Sequence, residues 1–574
     1  MPRSNDDVAA ALQEYSDLLS ILGLDSFKAR AYEKAARSVG GYHADLSTLD
    51  EAGLRAIPNV GRSTAQKIEQ LLQSGTFGEL EKARAQIPAG VRALMGISSL
   101  GPKKAMVLYD ELHISSVEEL LDAIHERRLR DLKGFGPKTE EKLLRGIELM
   151  QQSGGRVQIG VATDLAEELL GMLRELKQVK RAGFAGSLRR MQETIGDIDL
   201  LVASDDPVPV MEAFASCPYA EEVLGSGETK TSIRTTKGLQ VDLRVVPPEV
   251  WGAAIQYFTG SKAHNVRIRE MAVRKGLKLS EYGLFRAKSG RLIVAETEEE
   301  VYEHLGLPWI PPTLREDRGE VEAALAGELP KLVEVKDIKG DLHTHTDLTD
   351  GLAPLETMLE AAKEAGYRYY AVTDHAELLS MQRMTREKAL AQRKRLRALE
   401  KGSGLTLLHG SELNIQADGS VDWDEEFLSG FDVLVASVHS HLNMPKDEMT
   451  ARIIRAMEHP LVNVIGHPTA RMIGQRPPIE FDVEEVFKAA ARTGTALEVN
   501  SFPDRLDLND EHVMWARRHG ARFAVDTDSH SPLHLANLRF GVGTAQRGWL
   551  TKEDVINAWP LAKLKRFLRK DRPA

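Results

Sequence analysis

Apolar residues follow three different rhythms along this chain. From about residue 338 onward they come in short runs: Tyr370-Ala371-Val372, Leu405 to Leu408, Val433-Leu434-Val435, Val462 to Ile465 and Phe523-Ala524-Val525. Such runs predict successive buried strands with polar residues at their C-terminal ends. In the middle, Asp197-Ile198-Asp199 runs into Leu200-Leu201-Val202, and Leu239 to Val246 brackets Asp242. Both predict strands, and because strand side chains alternate, Asp197 and Asp199 must point the same way. In the first 150 residues apolar positions stop short of turn glycines. Leu54 to Ile68, Leu94 to Ala105 and Leu129 to Thr139 each read as helix, tight turn, helix.

The strand ends carry the chemistry. Asp341-Leu342-His343-Thr344-His345 opens a series continued by Asp350, Thr373-Asp374-His375, Glu412, Ser437-Val438-His439 and Gly466-His467-Pro468, and closed by Asp526-Thr527-Asp528-Ser529-His530. Imidazole and carboxylate without thiolate suit Mn²⁺, Zn²⁺ or Fe, and more than four ligands imply more than one ion. One histidine of this kind is commonly structural; a series at strand ends is a metal site. Such a site clamps and hydrolyses phosphate esters.

In the middle region, acids inside an apolar strand are costly unless something pairs with them. A pair of Mg²⁺ or Mn²⁺ ions held by Asp197, Asp199 and Asp242 would serve, as in nucleotidyl transfer. Gly186-Ser187 would offer an amide and a hydroxyl to phosphates, with Arg190 countering their charge. In the hairpins, glycine lets the backbone approach a phosphate, and the amides of the next helix bind it. Gly61, Gly101, Gly134 and Gly136, with Lys103 and Lys138, are the candidate DNA contacts.

The C-terminal series resembles the PHP (polymerase and histidinol phosphatase) family of metal-dependent phosphoesterases from about Ile338 onward. Carried over position by position, the ligands are His343, His345, Asp350, His375, Glu412, His439, His467, Asp528 and His530, holding two or three Mn²⁺, Zn²⁺ or Fe ions. Asp341, Asp374 and His441 are then expected to orient ligands. Gly-Ser followed by Asp-x-Asp and a later Asp resembles the polymerase-beta-like nucleotidyltransferases. Tyr257-Phe258-Thr259-Gly260-Ser261 resembles the stretch that contacts the nucleotide sugar in X-family DNA polymerases. Asn265 matches the residue at the base edge, and Arg269 the one probing the template. The repeats upstream resemble helix-hairpin-helix motifs. This order of parts is similar to that of the bacterial and archaeal PolX family.

The resemblance implies a multidomain fold. Its parts are α-helical helix-hairpin-helix N-terminal domains, an α+β nucleotidyltransferase palm and a C-terminal α/β distorted TIM-like barrel. The expected divisions are 1–85, 86–152, 153–247, 248–318, a linker at 319–337, and 338–574. It implies a gap-filling or end-joining repair polymerase acting on dNTPs and on gapped or nicked DNA. Its barrel would be a 3′-5′ exonuclease, an abasic-site endonuclease or a 3′-phosphatase. A small-molecule phosphatase barrel and a DNA-end-binding scaffold are the rival readings. Lys67 falls where repair relatives keep a Schiff-base lysine for 5′-deoxyribose phosphate, a role suited to a lysine of depressed pKa. There are departures: Gln240 for an arginine beside the third aspartate, Lys262 for an acid near the base, and Ser63 for a supporting lysine.

Composition narrows little further. The 574 residues carry a net charge of −10. Residues 1–150 hold about 20 basic and about 22 acidic side chains, so DNA binding must come from local geometry rather than bulk field. A single cysteine, Cys217, excludes an internal disulfide and fits a reducing compartment. The N-terminus lacks an apolar signal core and no apolar run is long enough to span a membrane. A cytoplasmic, nucleoid-associated monomer is expected.

Overall fold

The structure, a computed structural model, describes residues 5–570 except 23–25, 41, 43–45, 88–90, 92–93, 95–96, 98–99, 133, 154, 237 and 380–383. The described residues of 5–153 form helices and short connections that share one core, in which Leu12, Ala35, Leu54, Ile68, Leu108 and Leu143 are all fully buried. Each hairpin turns a short apolar segment into a helix that begins after glycine. Glu51–Ala56 leads to Arg62–Ser74, capped by Gly61, and Pro102–Leu112 is capped by Gly101. Gly136 precedes Pro137–Ser153, its carbonyl accepting from Thr139 and Glu140. The proline in the first turn of the last two helices costs no hydrogen bond there.

The palm is a five-stranded sheet with one parallel pair at its centre. Asp197–Ala203 lies between Arg181–Phe184 (antiparallel) and Gln240–Val246 (parallel). Lys230–Thr235 and Ala220–Ser226 complete the sheet. The parallel register sets Asp199 opposite Asp242. Helix Ile159–Arg174 covers one face through Ala162, Ala166 and Leu169.

In the C-terminal part, seven parallel strands lie side by side in chain order. They are Gly340–Asp341, Tyr369–Val372, Thr406–Asn414, Val433–Ser437, Val464–Ile465, Ala496–Asn500 and Phe523–Asp526. Helices such as Lys446–Glu458 and Val483–Thr493 alternate with them, as parallel pairing requires. A bridge between Thr344 and Ser529 joins the two edges just beyond the strand ends. The barrel therefore closes at the mouth where the candidate ligands lie.

One expectation changes here, and one arrangement that the sequence leaves open is seen. Residues 319–337 are no free linker. Glu320 and Val333 are buried, Glu320 receives a hydrogen bond from His264 at 2.7 Å, and Val333 N donates to Leu550 O at 3.0 Å. The barrel is also docked on the palm: Leu506 and Phe540 of the barrel sit in the palm's hydrophobic core. Arg471 reinforces this contact, donating to Glu193 at 2.6 Å. The sequence shows neither arrangement, because the contacts join residues far apart in the chain, 56 positions for His264 and Glu320 and 278 for Glu193 and Arg471. Among the described residues no helix is long and apolar enough to cross a membrane.

Candidate active sites

The palm site grows from the strand pair. A cavity of about 590 Å³ is lined by Gly186, Ser187, Arg190, Asp197, Asp199, Tyr257, Phe258, Gly260, Asn265 and Arg269. Lys262, expected near the base, lines it too, as do Arg156 and Gln192, which sequence reasoning had not assigned to the nucleotide. Gly186 has φ +59, and a Cβ on it would lie 2.2 Å from Asp199 Oδ2, so only glycine lets the turn pass beneath the acid. Burial, then the charges of Asp197 and Asp242, push the Asp199 carboxyl up to about 6. Asp242 moves the other way. Burial pushes it up, but Lys230 at 2.6 Å and Gln240 at 2.9 Å outweigh that and hold it below the usual range. Gln240 thus keeps a hydrogen bond to the third acid. Three acids this close, one of them resisting ionisation, fit a cation site.

Not every expected contact faces the cavity. Ser261 instead caps helix Lys262–Arg274, accepting from His264 N. The Asn265 amide is fixed, donating to Tyr257 O at 2.7 Å and accepting from Gln256 at 2.8 Å. Arg190 reaches the cavity while donating to Glu316 at 3.0 Å and to Thr259 O at 2.6 Å.

In the barrel all nine candidate ligands converge. Among the described residues, three groups have ligand atoms within 4.8 Å of one another: His345, Asp350, His375 and His530; His343, His345 and Asp528; and His375, Glu412 and His439. His467 joins through Nε2, 3.0 Å from Glu412 Oε1. The fit to cations shows in the orphaned atoms. Nε2 of His343 and both ring nitrogens of His345 are buried with no hydrogen-bond partner. They face carboxylates at longer range, His343 Nε2 at 3.4 Å from Glu412 and His345 Nε2 at 3.2 Å from Asp528. Buried nitrogens and carboxylates aimed at a common point need a positive charge between them. His467 (φ +26) and Asp528 (φ +51) hold left-handed backbone, a strain that tight sites accept. Gly466 makes room for this, since a Cβ there would meet Ser437 Oγ at 2.4 Å and His343 Cε1 at 3.3 Å.

The groups that orient these ligands differ in part from those expected. Glu498, which sequence reasoning missed, accepts from His343 Nδ1 at 2.7 Å and from the His467 amide. Asn414 does the same for His439 Nδ1 at 2.8 Å. Both are polar residues inside buried strands, a pattern visible in Ala496-Leu497-Glu498-Val499-Asn500. Asp341 accepts from the His343 amide at 3.3 Å, holding backbone rather than ring. Asp374 holds the loop leading to Asp350, through Thr346 and Thr349. His441 is a correction: it is exposed, and its Nδ1 meets only the neighbouring Ser440 hydroxyl at 3.1 Å.

Lys67, the candidate lyase residue, sits in a closed setting. It is buried against Tyr32 and Phe77 and ion-paired to Glu79 at 2.9 Å. Burial pulls its pKa down, but the bonds to Glu79 and Tyr32 outweigh that and leave it raised. The depression expected of a Schiff-base lysine is absent. Ser63 sits 3.3 Å from its Nζ. The Lys103 and Lys138 side chains lie outside the described residues. Among the described residues, a Cβ at Gly61, Gly101 or Gly136 would meet nothing within 4 Å, and their φ is not left-handed. The protein itself does not require glycine there; only Gly134, at φ +92, needs it for conformation.

Comparison with known proteins bears on these sites. Residues 3–77 match a helix-hairpin-helix domain, 91–148 a SAM-like helix-hairpin-helix tandem, 254–316 the DNA polymerase beta thumb and 341–502 the PHP domain. The chain is 34% identical over 569 residues to the DNA polymerase/3′-5′ exonuclease PolX of Bacillus subtilis (strain 168), covering 98% of this chain and 99% of that protein. The chain belongs to the PolX family. Two further relatives each match one part of the chain. DNA polymerase lambda of Rattus norvegicus is 26% identical over 324 residues, 51% of this chain and 53% of that protein. A probable phosphatase of Thermoanaerobacter sp. (strain X514) is 30% identical over 243 residues, 40% of this chain and 94% of that protein. Polymerase and PHP domains are metal-dependent, in agreement with the two acid and histidine clusters.

Proposed function

We propose that this chain is a DNA-directed DNA polymerase of the X family, serving repair, with a barrel that hydrolyses DNA phosphoesters from the 3′ end. One observation carries the polymerase half: Asp197 and Asp199 open into the same cavity as Gly186, Ser187, Arg190, Tyr257 and Asn265. Asp197, Asp199 and Asp242 would hold Mg²⁺ or Mn²⁺, which would supply activation of the primer 3′-hydroxyl and neutralisation of the triphosphate. The Gly186-Ser187 turn and Arg190 orient the phosphates, and Tyr257 and Phe258 wall the sugar side. Asn265, with its amide already fixed, presents itself to the base edge.

In the barrel, the nine ligands would hold two or three Mn²⁺, Zn²⁺ or Fe ions, Mn²⁺ being favoured, and these would supply polarisation of the phosphoester and activation of water. Glu498 and Asn414 fix the ring directions of His343 and His439, so the site is formed before substrate arrives. The hairpins hold DNA by backbone. Glycines that the protein does not need internally leave room for a phosphate at the amides of the next helix. Gapped or nicked DNA and dNTPs are the substrates on this reading.

Likeness of the barrel to a probable phosphatase favours a second reading, hydrolysis of free phosphomonoesters. One assay separates the two. A labelled primer with a 3′ mismatch faces a one-nucleotide gap, first with Mn²⁺ alone and then with dNTPs. Asp199→Ala should abolish extension and spare shortening; His343→Ala should do the reverse. Extension without shortening, together with cleavage of a free phosphomonoester, would move the barrel to the second reading. Loss of both activities in either folded variant would overturn the two-site picture.

A further inference from the structure

We propose that Arg547, a barrel residue, tunes the nucleotide cavity of the palm by sharing Glu316 with Arg190. The inference rests on the reading of Arg190 as a triphosphate contact. Glu316 Oε1 accepts from Arg190 Nε at 3.0 Å, Gln192 Nε2 at 2.6 Å and Arg547 Nη1 at 2.8 Å. The same Arg547 nitrogen donates to the Arg190 carbonyl at 2.9 Å. Its other end donates to Asp510 at 2.7 Å, which Arg318 also contacts at 2.9 Å. The barrel helix Leu538–Arg547 packs directly on this turn: a Cβ on Gly543 would meet Met191 at 2.9 Å.

Charge explains why a second arginine matters. The side chains of Arg547, Glu316 and Arg190 are only 4%, 13% and 14% exposed, so water screens them weakly. Glu316 alone would cancel the positive charge that Arg190 presents to the cavity. Arg547 faces Glu316 as Arg190 does, while Asp510 lies between Arg547 and Arg318, whose other nitrogen meets the exposed Glu511 at 3.4 Å. Glu316 is thus shared by two guanidiniums, and Arg190 keeps more of its positive charge toward the wall that receives the triphosphate. The barrel is thus part of the polymerase site, through a positioning residue that touches no substrate.

The test is single-nucleotide gap filling by the full chain, reading KM for dNTP against kcat. Arg547→Met should raise KM about tenfold, or about 1.4 kcal/mol, with kcat little changed. Shortening of a mismatched primer by the barrel should persist. Glu316→Gln should lower KM, and the double variant Arg547→Met/Glu316→Gln should return it to within about twofold of wild type, since both remove one charge of opposite sign. A docking role alone predicts no such rescue. An unchanged KM in Arg547→Met, or a KM equally high in the double variant, overturns the proposal. Should Arg547→Met fold poorly, Glu316→Gln decides alone, a rise in KM counting against the proposal. Arg190→Ala tests the underlying reading separately: if it leaves KM unchanged, Arg190 is no triphosphate contact.

Discussion

Glu298 gives the most quantitative prediction. It opens helix Glu298–His304, is buried, and accepts from Arg189 at 2.9 and 2.6 Å, Arg315 at 2.6 Å and Trp309 at 3.3 Å. Arg315 is fully buried and donates also to Ile310 O at 2.8 Å. Burial pushes the Glu298 carboxyl up, but Arg315 and Arg189 outweigh it and hold it at about 2, against an ordinary 4.5. At 1.36 kcal/mol per pH unit, that depression corresponds to about 3 kcal/mol of stability at neutral pH. Because the folded value is the lower one, this stability is complete above pH 4.5 and is lost as pH falls toward 2. Glu298→Gln removes it at all pH values and leaves Arg315 poorly paired, a cost of about 3–5 kcal/mol where a buried pair is broken. Hydrogen exchange read by mass spectrometry over 298–315 isolates this segment from the rest of a multidomain chain. Protection should fall sharply in Glu298→Gln at pH 7, and the gap to wild type should narrow as both are acidified below pH 4.5. Equal protection of the two proteins at pH 7 would refute the reasoning. Arg189 also donates to Thr259 at 2.6 Å, so the variant should slow extension as well.

Three further outcomes follow from close contacts. Gly186→Ala would drive a methyl into Asp199. Extension should drop at least about 100-fold, the scale of an ångström of misplacement, while primer shortening by the barrel continues; near-normal extension would count against the geometry. Glu498→Gln loosens His343 and should weaken Mn²⁺ binding about 10- to 100-fold, read by calorimetry and by the Mn²⁺ requirement of shortening. Lys67, held protonated by Glu79, should give no adduct with 5′-deoxyribose phosphate DNA under borohydride at neutral pH; a trapped adduct that vanishes in Lys67→Ala would reverse that conclusion.

What could be read from sequence was what local spacing fixes. Asp197 and Asp199 share a strand face because side chains alternate, and the strand register then supplies Asp242. His375, His439, His467 and Asp528 each follow a short apolar run, so a parallel barrel had to gather them at one mouth. Glu498 escaped notice because it lies within its strand rather than beyond it, where an acid breaks the apolar run that would have flagged it. Residues 319–337 read as a linker because they follow the proline-rich Leu307-Pro308-Trp309-Ile310-Pro311-Pro312 and a polar stretch, yet the His264 that meets Glu320 lies 56 residues away. Arg547 and Glu316 are 231 residues apart. No spacing rule announces such a pair, and a docked interface is made of pairs like it. The chemistry of each site was therefore legible, and the coupling between the sites was not.

The acidic balance of the chain bears on how it holds DNA. A protein that neutralises phosphates with lysine and arginine loses affinity steeply with salt, with a slope of about 0.9 for each phosphate. With about 20 basic against about 22 acidic residues in 1–150, that route is poorly supplied here. Helix amides supply another, and they need a glycine cap that keeps side chains out of the way. Gly61 and Gly101 cap their helices with no side-chain hydrogen bond, and Gly136 precedes its helix with open space around it. Alanine at all three should change stability by no more than about 1 kcal/mol each, because no neighbour is struck and the cap loses little. Affinity for gapped DNA, measured by fluorescence anisotropy, should nevertheless fall about tenfold, the worth of one or two hydrogen bonds to a charged group. The salt slope should stay nearly constant, because no cation has been removed. A triple variant that binds like wild type would show that the hairpin glycines play no part in binding DNA. A slope that flattens would show that the glycines instead position charged side chains.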